Sequence, residues 1–309
     1  MLGAIEKALR EEREMRNEKE MFELILNTAK EDERIYAVYM NGSRTNPNVP
    51  KDIFQDYDIV YVVDRTEPYI NDKNWINRFG EILFMQYPDE NIYCSSDKQN
   101  FYGWLIQFTD GNRLDLHVES LEHAKANILK DKLCKILLDK ENVLPDVGES
   151  TDKGYWVEKP NEQQFLCTCN EFWWCLNNVA KGLWRKEVPY VQDMINYNVR
   201  PQLIKVLSWK IGIDSDFSCS IGKSGKYMYR YLTAEEWKLF LRTYVSADVE
   251  EMWNGIMTMC RLFDETAKDV GERLGFCYNQ NEADNCMSFM EHVRKLPEDA
   301  TEIYDYQRI

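Results

Sequence analysis

The sequence lacks a zinc-ligand pattern. Nine cysteines are scattered along 309 residues with no CxxC pair; Cys167 and Cys169 form a lone CxC, and Cys175 follows six residues on. A structural zinc site needs about four ligands in recognisable spacing. The cysteines therefore read as buried, reduced thiols of a cytoplasmic protein. No apolar run approaches the roughly 18 residues of a membrane span. The N-terminus is charged from residue 6 onward, which is unlike a secretory signal. Positive charge is in short supply too: 38 Lys and Arg stand against 53 Asp and Glu, a net charge of −15. Sequence-independent nucleic-acid binding rests on neutralising phosphates with Lys and Arg. The balance thus speaks against nucleic acid as a partner and suits a cationic small substrate, which a negative field attracts. There is no internal repeat and no low-complexity tract.

What is present is a folded chain: 44% of residues are apolar and 29% charged. Its length suffices for one large domain or two ordinary ones. Residues 4–30 read as a helix, more buried in its second half. Ile35–Met40 reads as a strand, 44–55 as a loop carrying Pro47 and Pro50, and Asp56–Val63 as a second strand. A short helix at Trp75–Phe79 and strands at Ile82–Gln86, Trp104–Thr109 and Arg113–Val118 follow. Asp110-Gly111 joins the last two as a hairpin. A helix over Leu121–Leu129 and a short strand at Ile136–Leu138 end this half.

The character changes near residue 145. The stretch LPDVGESTDKGYWVEKP reads as a linker. Beyond Asn161 the pattern is helical: 162–184, 187–198, 201–212, 233–245 and 247–274. Pro201 places a break near 199, because proline disfavours helix at the residue before it. The expected fold class is α+β, with an N-terminal domain over 1–148 and a helical domain over 149–309.

Two aspartates lead the second strand, Asp56 and Asp58. Residues i and i+2 of a strand share a face about 6.6–7 Å apart, so they project together. Asp115 lies between Leu114 and Leu116 in a later strand. If the two strands are neighbours, three carboxylates converge, and each raises the others' pKa. A divalent cation removes that conflict. Mg2+ takes carboxylate oxygens and keeps positions for phosphate oxygens, and two such ions can clamp an in-line displacement at phosphorus. Gly42-Ser43 follows the first strand. Glycine lets the backbone approach a ligand, and free N–H groups with the Ser43 hydroxyl can hold phosphate oxygens. Arg44 adds positive charge. The set suits nucleotidyl transfer from a nucleoside triphosphate. Asp56 and Asp58 are the candidate metal ligands; Asp115 either joins them or takes a proton from the acceptor hydroxyl. His117, on the same strand face as Arg113 and Asp115, is a candidate to orient Asp115 or to bind phosphate.

In the second half, Glu171, Trp174, Asn178 and Lys181 form one helix face. Lys181 is a candidate for the triphosphate, Glu171 for a guanidinium or ammonium of the acceptor, and Trp174 for stacking. The alternative is a solvated face. Asp193 and Asn196 are weaker acceptor candidates, and Arg200 and Lys205 could reach phosphate.

Gly-Ser, then Asp-x-Asp, then a third acid resembles the nucleotidyltransferase superfamily. NGSRTNPNVPKDIFQDYDIVYVV, FTDGNRLDLHVES, CNEFWWCLNNVAKGLWR and VRPQLIKVLSWKIGI resemble, in order and over nearly the whole chain, the aminoglycoside 6-adenylyltransferases, which modify streptomycin. The resemblance implies a nucleotidyltransferase fold, a mixed β-sheet with flanking helices, followed by a helical bundle. It implies ATP as co-substrate, Mg2+ as cofactor, pyrophosphate release and AMP transfer to a streptomycin hydroxyl, hence antibiotic resistance. It favours the base role for Asp115. Other readings are a nucleotidyltransferase acting on another hydroxylated compound such as a lincosamide, an antitoxin-type enzyme acting on a protein, and an inactive binding protein. The long helical half argues against the antitoxin type, and intact Asp56, Asp58 and Asp115 argue against the inactive one.

Overall fold

A computed structural model describes residues 14–304. The chain divides into two compact units, Met1–Gly154 and Tyr155–Ile309.

In the first unit, helix α1 (Glu18–Glu31) precedes strands β1 (Ile35–Asn41) and β2 (Tyr57–Val63). Of the expected helix over 4–30, residues 4–13 lie outside the described ones, 14–17 are not helical, and the helix runs from Glu18. Asn17 explains the start, since a capping box joins it to Glu20. A short helix α2 (Glu67–Asn71) and a 3-10 turn over Trp75–Phe79 lead to β3 (Ile82–Gln86). Then come β4 (Phe101–Phe108), β5 (Arg113–Ser120), α3 (Leu121–Asn127) and β6 (Cys134–Asp139).

The six strands form one mixed sheet in the order β3-β4-β5-β2-β1-β6. β2 and β5 pair in parallel at its centre, with Asp58 opposite Asp115; the other pairs are antiparallel. β2 is buried on both faces, which is why its sequence is nearly continuous in apolar residues. Tyr57, Ile59, Tyr61 and Val63 face Met21 and Ile25 of α1 and the aromatic group Trp75, Phe79 and Trp104. Val60 and Val62 face the opposite layer, against Ala124 and Ile128. Asp58 belongs by alternation to that second face. So do Asp115, His117 and Glu119, since Leu114, Leu116 and Val118 all point into the α1 layer.

The second unit is helical. Its elements are α4 (Glu162–Trp184), α5 (Val188–Asp193), α6 (Arg200–Asp214), α7 (Ala234–Leu241), α8 (Val249–Leu274) and α9 (Gln280–Lys295). The sequence pattern did not reveal α9. No break falls near 199: α5 continues through π turns at Met194–Val199 straight into α6, and Arg200 is helical at φ −58° and ψ −39°. Pro201 stands in the first turn of α6, where its missing N–H is tolerated.

The core of this unit centres on α4, whose Phe165, Phe172, Leu176 and Val179 are fully buried. Phe172 stacks on Phe263 of α8, ring centroids 3.7 Å apart. Trp173 donates to the Tyr278 hydroxyl at 3.2 Å, which donates to Asp264 at 2.9 Å, so this buried polar chain is satisfied. Truncating Phe263→Ala removes a ring from a closed core, at a cost of about 3–5 kcal/mol. Tryptophan fluorescence during urea unfolding should show a lower midpoint for the helical unit; an unchanged midpoint would remove the stack from the determinants of its stability.

Candidate active site

Gly42 ends β1 at φ +75°, a conformation that favours glycine. A Cβ there would stand 2.0 Å from Oδ2 of Asp58. The Asp58 carboxylate thus lies directly on the Gly42 backbone. The chain then turns through a 3-10 segment, Ser43–Thr45, closed by Thr45 Oγ1 donating to the Gly42 carbonyl at 2.8 Å. No hydrogen bond engages the Ser43 hydroxyl among the described residues.

Arg44 is pinned. Its guanidinium lies 3.7 Å over the Tyr57 ring and donates to the carbonyls of Gln55 (2.9 Å) and Asp56 (3.0 Å) and to Glu18 (3.2 Å). These bonds fix the return of loop 44–56 at the residue that carries the first carboxylate. What Arg44 offers a ligand is its charge, since most of its N–H groups are engaged.

Arg113 grips Asp115. Nε donates to Oδ1 at 2.9 Å and Nη2 to Oδ2 at 2.8 Å, while Nε stands 3.6 Å from Oδ2 of Asp56. Sequence reasoning placed Arg113 on this strand face but missed the grip; an arginine two residues before a strand aspartate was the available signal. The hairpin that carries Arg113 is itself held by Arg16, whose Nε reaches Asp110 at 2.5 Å and whose carbonyl accepts from Asn112 at 3.0 Å.

The Asp58 carboxylate has no hydrogen bond or ion pair among the described residues. Burial, and then the charges of Asp115 and Asp56, push its carboxyl up to about 6. Asp56 is also raised, first by burial, with Arg113 opposing. Asp58 and Asp56 therefore present hard oxygen donors short of positive charge. That chemistry fits Mg2+, which needs only one or two carboxylates beside phosphate and water oxygens. Asp115 differs, because both its oxygens already accept from Arg113. Among the described residues, no group of three or more His, Cys, Asp or Glu side chains stands together in metal-holding geometry.

His117 makes no hydrogen bond to Asp115. It stacks on Phe101 at 4.7 Å, and its edge fills the space a Cβ on Gly103 would occupy, 2.3 Å from Cδ2. Burial pushes its pKa down, which favours the neutral ring. Glu119, two residues further on, is 2% exposed and bonded to the Tyr39 hydroxyl and to His123 Nδ1. This buried cluster escaped sequence reasoning, although the polar alternation Asp115, His117, Glu119 is visible in β5. A cavity of about 250 Å3 opens beside Asp56 and Arg113, lined also by Phe54, Gln55, Gln107 and Asn112.

Gly42, Ser43, Arg44, Asp56, Asp58 and Asp115 thus meet in the first unit. Glu171, Trp174, Lys181 and Asp193 belong to the second, and all four are exposed, Trp174 at 66%. Glu171 accepts from the Cys175 thiol at 3.3 Å. Arg200 is buried, with its Nη atoms on Thr243 Oγ1 (2.6 Å) and the Thr243 carbonyl (3.0 Å) and its guanidinium over Tyr244. It ties α6 to the segment after α7. Lys205 is exposed and donates to Gln202 at 3.1 Å.

A carboxylate pair at the start of one strand, a third acid across a parallel neighbour and a glycine-serine turn beside them form an arrangement whose chemistry suits nucleotidyl transfer. A family model described as streptomycin adenylyltransferase matches residues 15–293. An aminoglycoside 6-adenylyltransferase of Bacillus subtilis (strain 168) is 38% identical over 265 residues, 85% of this chain and 93% of that protein. A protein of the same name from Campylobacter jejuni is 38% identical over 264 residues, 85% of this chain and 91% of that one. A crystal structure of an aminoglycoside 6-adenyltransferase from Bacillus subtilis, 32% identical, covers 91% of this chain and 100% of its own at a TM-score of 0.45, a loose superposition. The chain belongs to the streptomycin adenylyltransferase family.

Two outcomes follow from this geometry. Gly42→Ala should leave the circular dichroism spectrum intact and lower turnover by about 100-fold, since it displaces Asp58 by an ångström or more; turnover within threefold of wild type would remove the Gly42–Asp58 contact from the site. Asp58 gives a pH signature. Its folded pKa of about 6 lies above the ordinary aspartate value of 3.8, so the folded state holds the extra proton and the associated stability is present below about pH 4. It is lost as pH rises through 6. In EDTA, Asp58→Asn should therefore be more stable than wild type at pH 7.5, by on the order of 2–3 kcal/mol at most. The gap in melting temperature should close at pH 4; equal melting temperatures at pH 7.5 would refute the strained carboxylate.

Proposed function

We propose that this protein transfers AMP from ATP to a hydroxyl of an aminoglycoside, with the 6-hydroxyl of streptomycin as first choice, releasing pyrophosphate and inactivating the drug. The observation that carries this reading is the register of Asp58 opposite Asp115, with the Asp58 carboxylate lying on Gly42. The acceptor oxygen forms a bond to the α-phosphorus as the bond from that phosphorus to the bridging oxygen breaks. Pyrophosphate leaves, and the hydroxyl proton passes to Asp115. A carboxylate offers about four lone-pair sites, so the Arg113 bonds leave room on Asp115 for that proton.

Asp56 and Asp58 are the residues that would hold Mg2+, which when bound neutralises triphosphate charge and stabilises the charge developing at phosphorus. The backbone at Gly42 and the Ser43 hydroxyl seat phosphate oxygens, and Arg44 contributes charge. In this reading 1–148 is the catalytic domain and 149–309 the acceptor domain. Within the second unit, the exposed Glu171 and Asp193 are the residues for guanidinium or ammonium groups of the acceptor, Trp174 is the residue for stacking on it, and Lys181 adds positive charge to the same face. The net charge of −15 supports a cationic small molecule over nucleic acid as acceptor. Among the described residues no helix is long and apolar enough to cross a membrane, and all nine cysteines are free thiols; both are consistent with a cytoplasmic enzyme.

The test is pyrophosphate release from ATP and Mg2+ with streptomycin, kanamycin, spectinomycin, lincomycin or no acceptor. Release is expected with streptomycin and is expected to be nearly abolished in Asp58→Asn. Release with lincomycin alone would move the acceptor to the lincosamides. Silence with every acceptor, in folded protein that binds ATP, would overturn the aminoglycoside reading.

A further inference from the structure

Arg113 stands at the mouth of β5 with its side chain 44% exposed, while that of Asp115 is 11% exposed. The clamp thus sits on the solvent side of the carboxylate it holds. Its partners among the described residues are Asp115 and, at longer range, Asp56. No apolar core depends on it. The fork of Nε and Nη2 matches both Asp115 oxygens, a geometry that a lysine cannot reproduce. The same contacts sort the three acids: Asp115 is fully engaged, Asp56 is grazed, and Asp58 is untouched.

We propose that Arg113 is a positioning residue whose two-point grip keeps Asp115 out of the cation's coordination shell, so that Asp56 and Asp58 hold the cation and Asp115 faces the acceptor hydroxyl. This rests on the reading of the site given above. It separates the two roles that residue types alone left open for Asp115. Arg113 acts through Asp115, not on the phosphorus.

The experiment has two readouts. With the purified full chain, Arg113→Gln should lower kcat by about 30–100-fold, the scale of an ångström's misplacement, with KM for ATP changed less than about threefold. Arg113→Lys keeps the charge, controls for folding, and should recover only part of the rate. Independently of turnover, Mn2+ binding is followed by electron paramagnetic resonance with α,β-methylene-ATP, which cannot transfer AMP. Asp58→Asn should weaken Mn2+ binding at least tenfold and Asp115→Asn less than twofold. Arg113→Gln should tighten it several-fold by releasing Asp115 to the cation, and adding Asp115→Asn should reverse that gain. The proposal is overturned if Asp115→Asn in the wild-type background weakens Mn2+ as much as Asp58→Asn does, or if Arg113→Gln leaves kcat and Mn2+ affinity unchanged. Failure of the functional reading is distinct: no aminoglycoside would elicit pyrophosphate, while the Mn2+ titrations would still decide the role of Arg113.

Discussion

Everything in the sheet unit answers to one constraint: the parallel register that sets Asp58 beside Asp115. Neighbouring strands lie about 4.8 Å apart. Two charges about 5 Å apart repel by roughly 1 kcal/mol in water and roughly 3 kcal/mol near a protein surface. Asp56 adds a third charge at the same end. The register cannot slip to relieve this, because a one-residue shift would turn Tyr57, Ile59, Tyr61 and Val63 out of their core and the acids into it. The sheet's apolar packing therefore holds a charge arrangement that would not assemble alone. The pKa of Asp58 is raised first by burial and then by the charges of Asp115 and Asp56, so the conflict adds to the cost of burying the carboxylate.

The surrounding contacts make sense as responses to it. Glycine at 42 leaves space for the Asp58 carboxylate. Arg44 fixes the loop that delivers Asp56, and Arg16 fixes the hairpin that delivers Arg113. Arg113 then neutralises one acid in place. Each contact is local and polar, and each determines an orientation, which a phosphoryl-transfer site needs more than it needs reactive groups.

The sheet was legible because its signals were backbone signals. Asp110-Gly111 marked a hairpin, and the continuous run Ile59–Val63 marked a strand, which the fold buries on both faces. The convergence of Asp56, Asp58 and Asp115 followed once β2 and β5 were taken as neighbours. Side-chain partnerships were not legible, since they depend on distances across the fold. The burial of Glu119 against Tyr39 and the anchoring of Arg200 on Thr243 are of this kind, whereas the grip of Arg113 on Asp115 is local to one strand. Pro201 misled for a related reason. Local sterics disfavour helix at the residue before a proline, yet Arg200 is helical and the chain runs on through π turns. In the second unit, the exposed face of Glu171, Trp174 and Lys181 followed from helical spacing alone, while its purpose has no counterpart in that spacing.

A net charge of −15 poses a problem for a protein proposed to bind ATP. A negative field draws in a cationic acceptor and repels a triphosphate. The repulsion acts over about a Debye length, near 8 Å at physiological ionic strength, so only nearby charges decide binding. At the carboxylates those charges are Arg44 and Arg113, with Arg16 behind the hairpin. The two arginines nearest the acids are spent on orienting them, which leaves Asp56 only partly compensated, by Arg113 at 3.6 Å, and the Asp58 carboxylate without an ion pair among the described residues. A triphosphate can approach that pair only with a cation that both share. In this arrangement the acidity of the chain and the use of a metal nucleotide are two sides of one electrostatic choice. In the proposed reading the field would recruit the acceptor, and a metal carried with the nucleotide would offset that field where phosphate must come close.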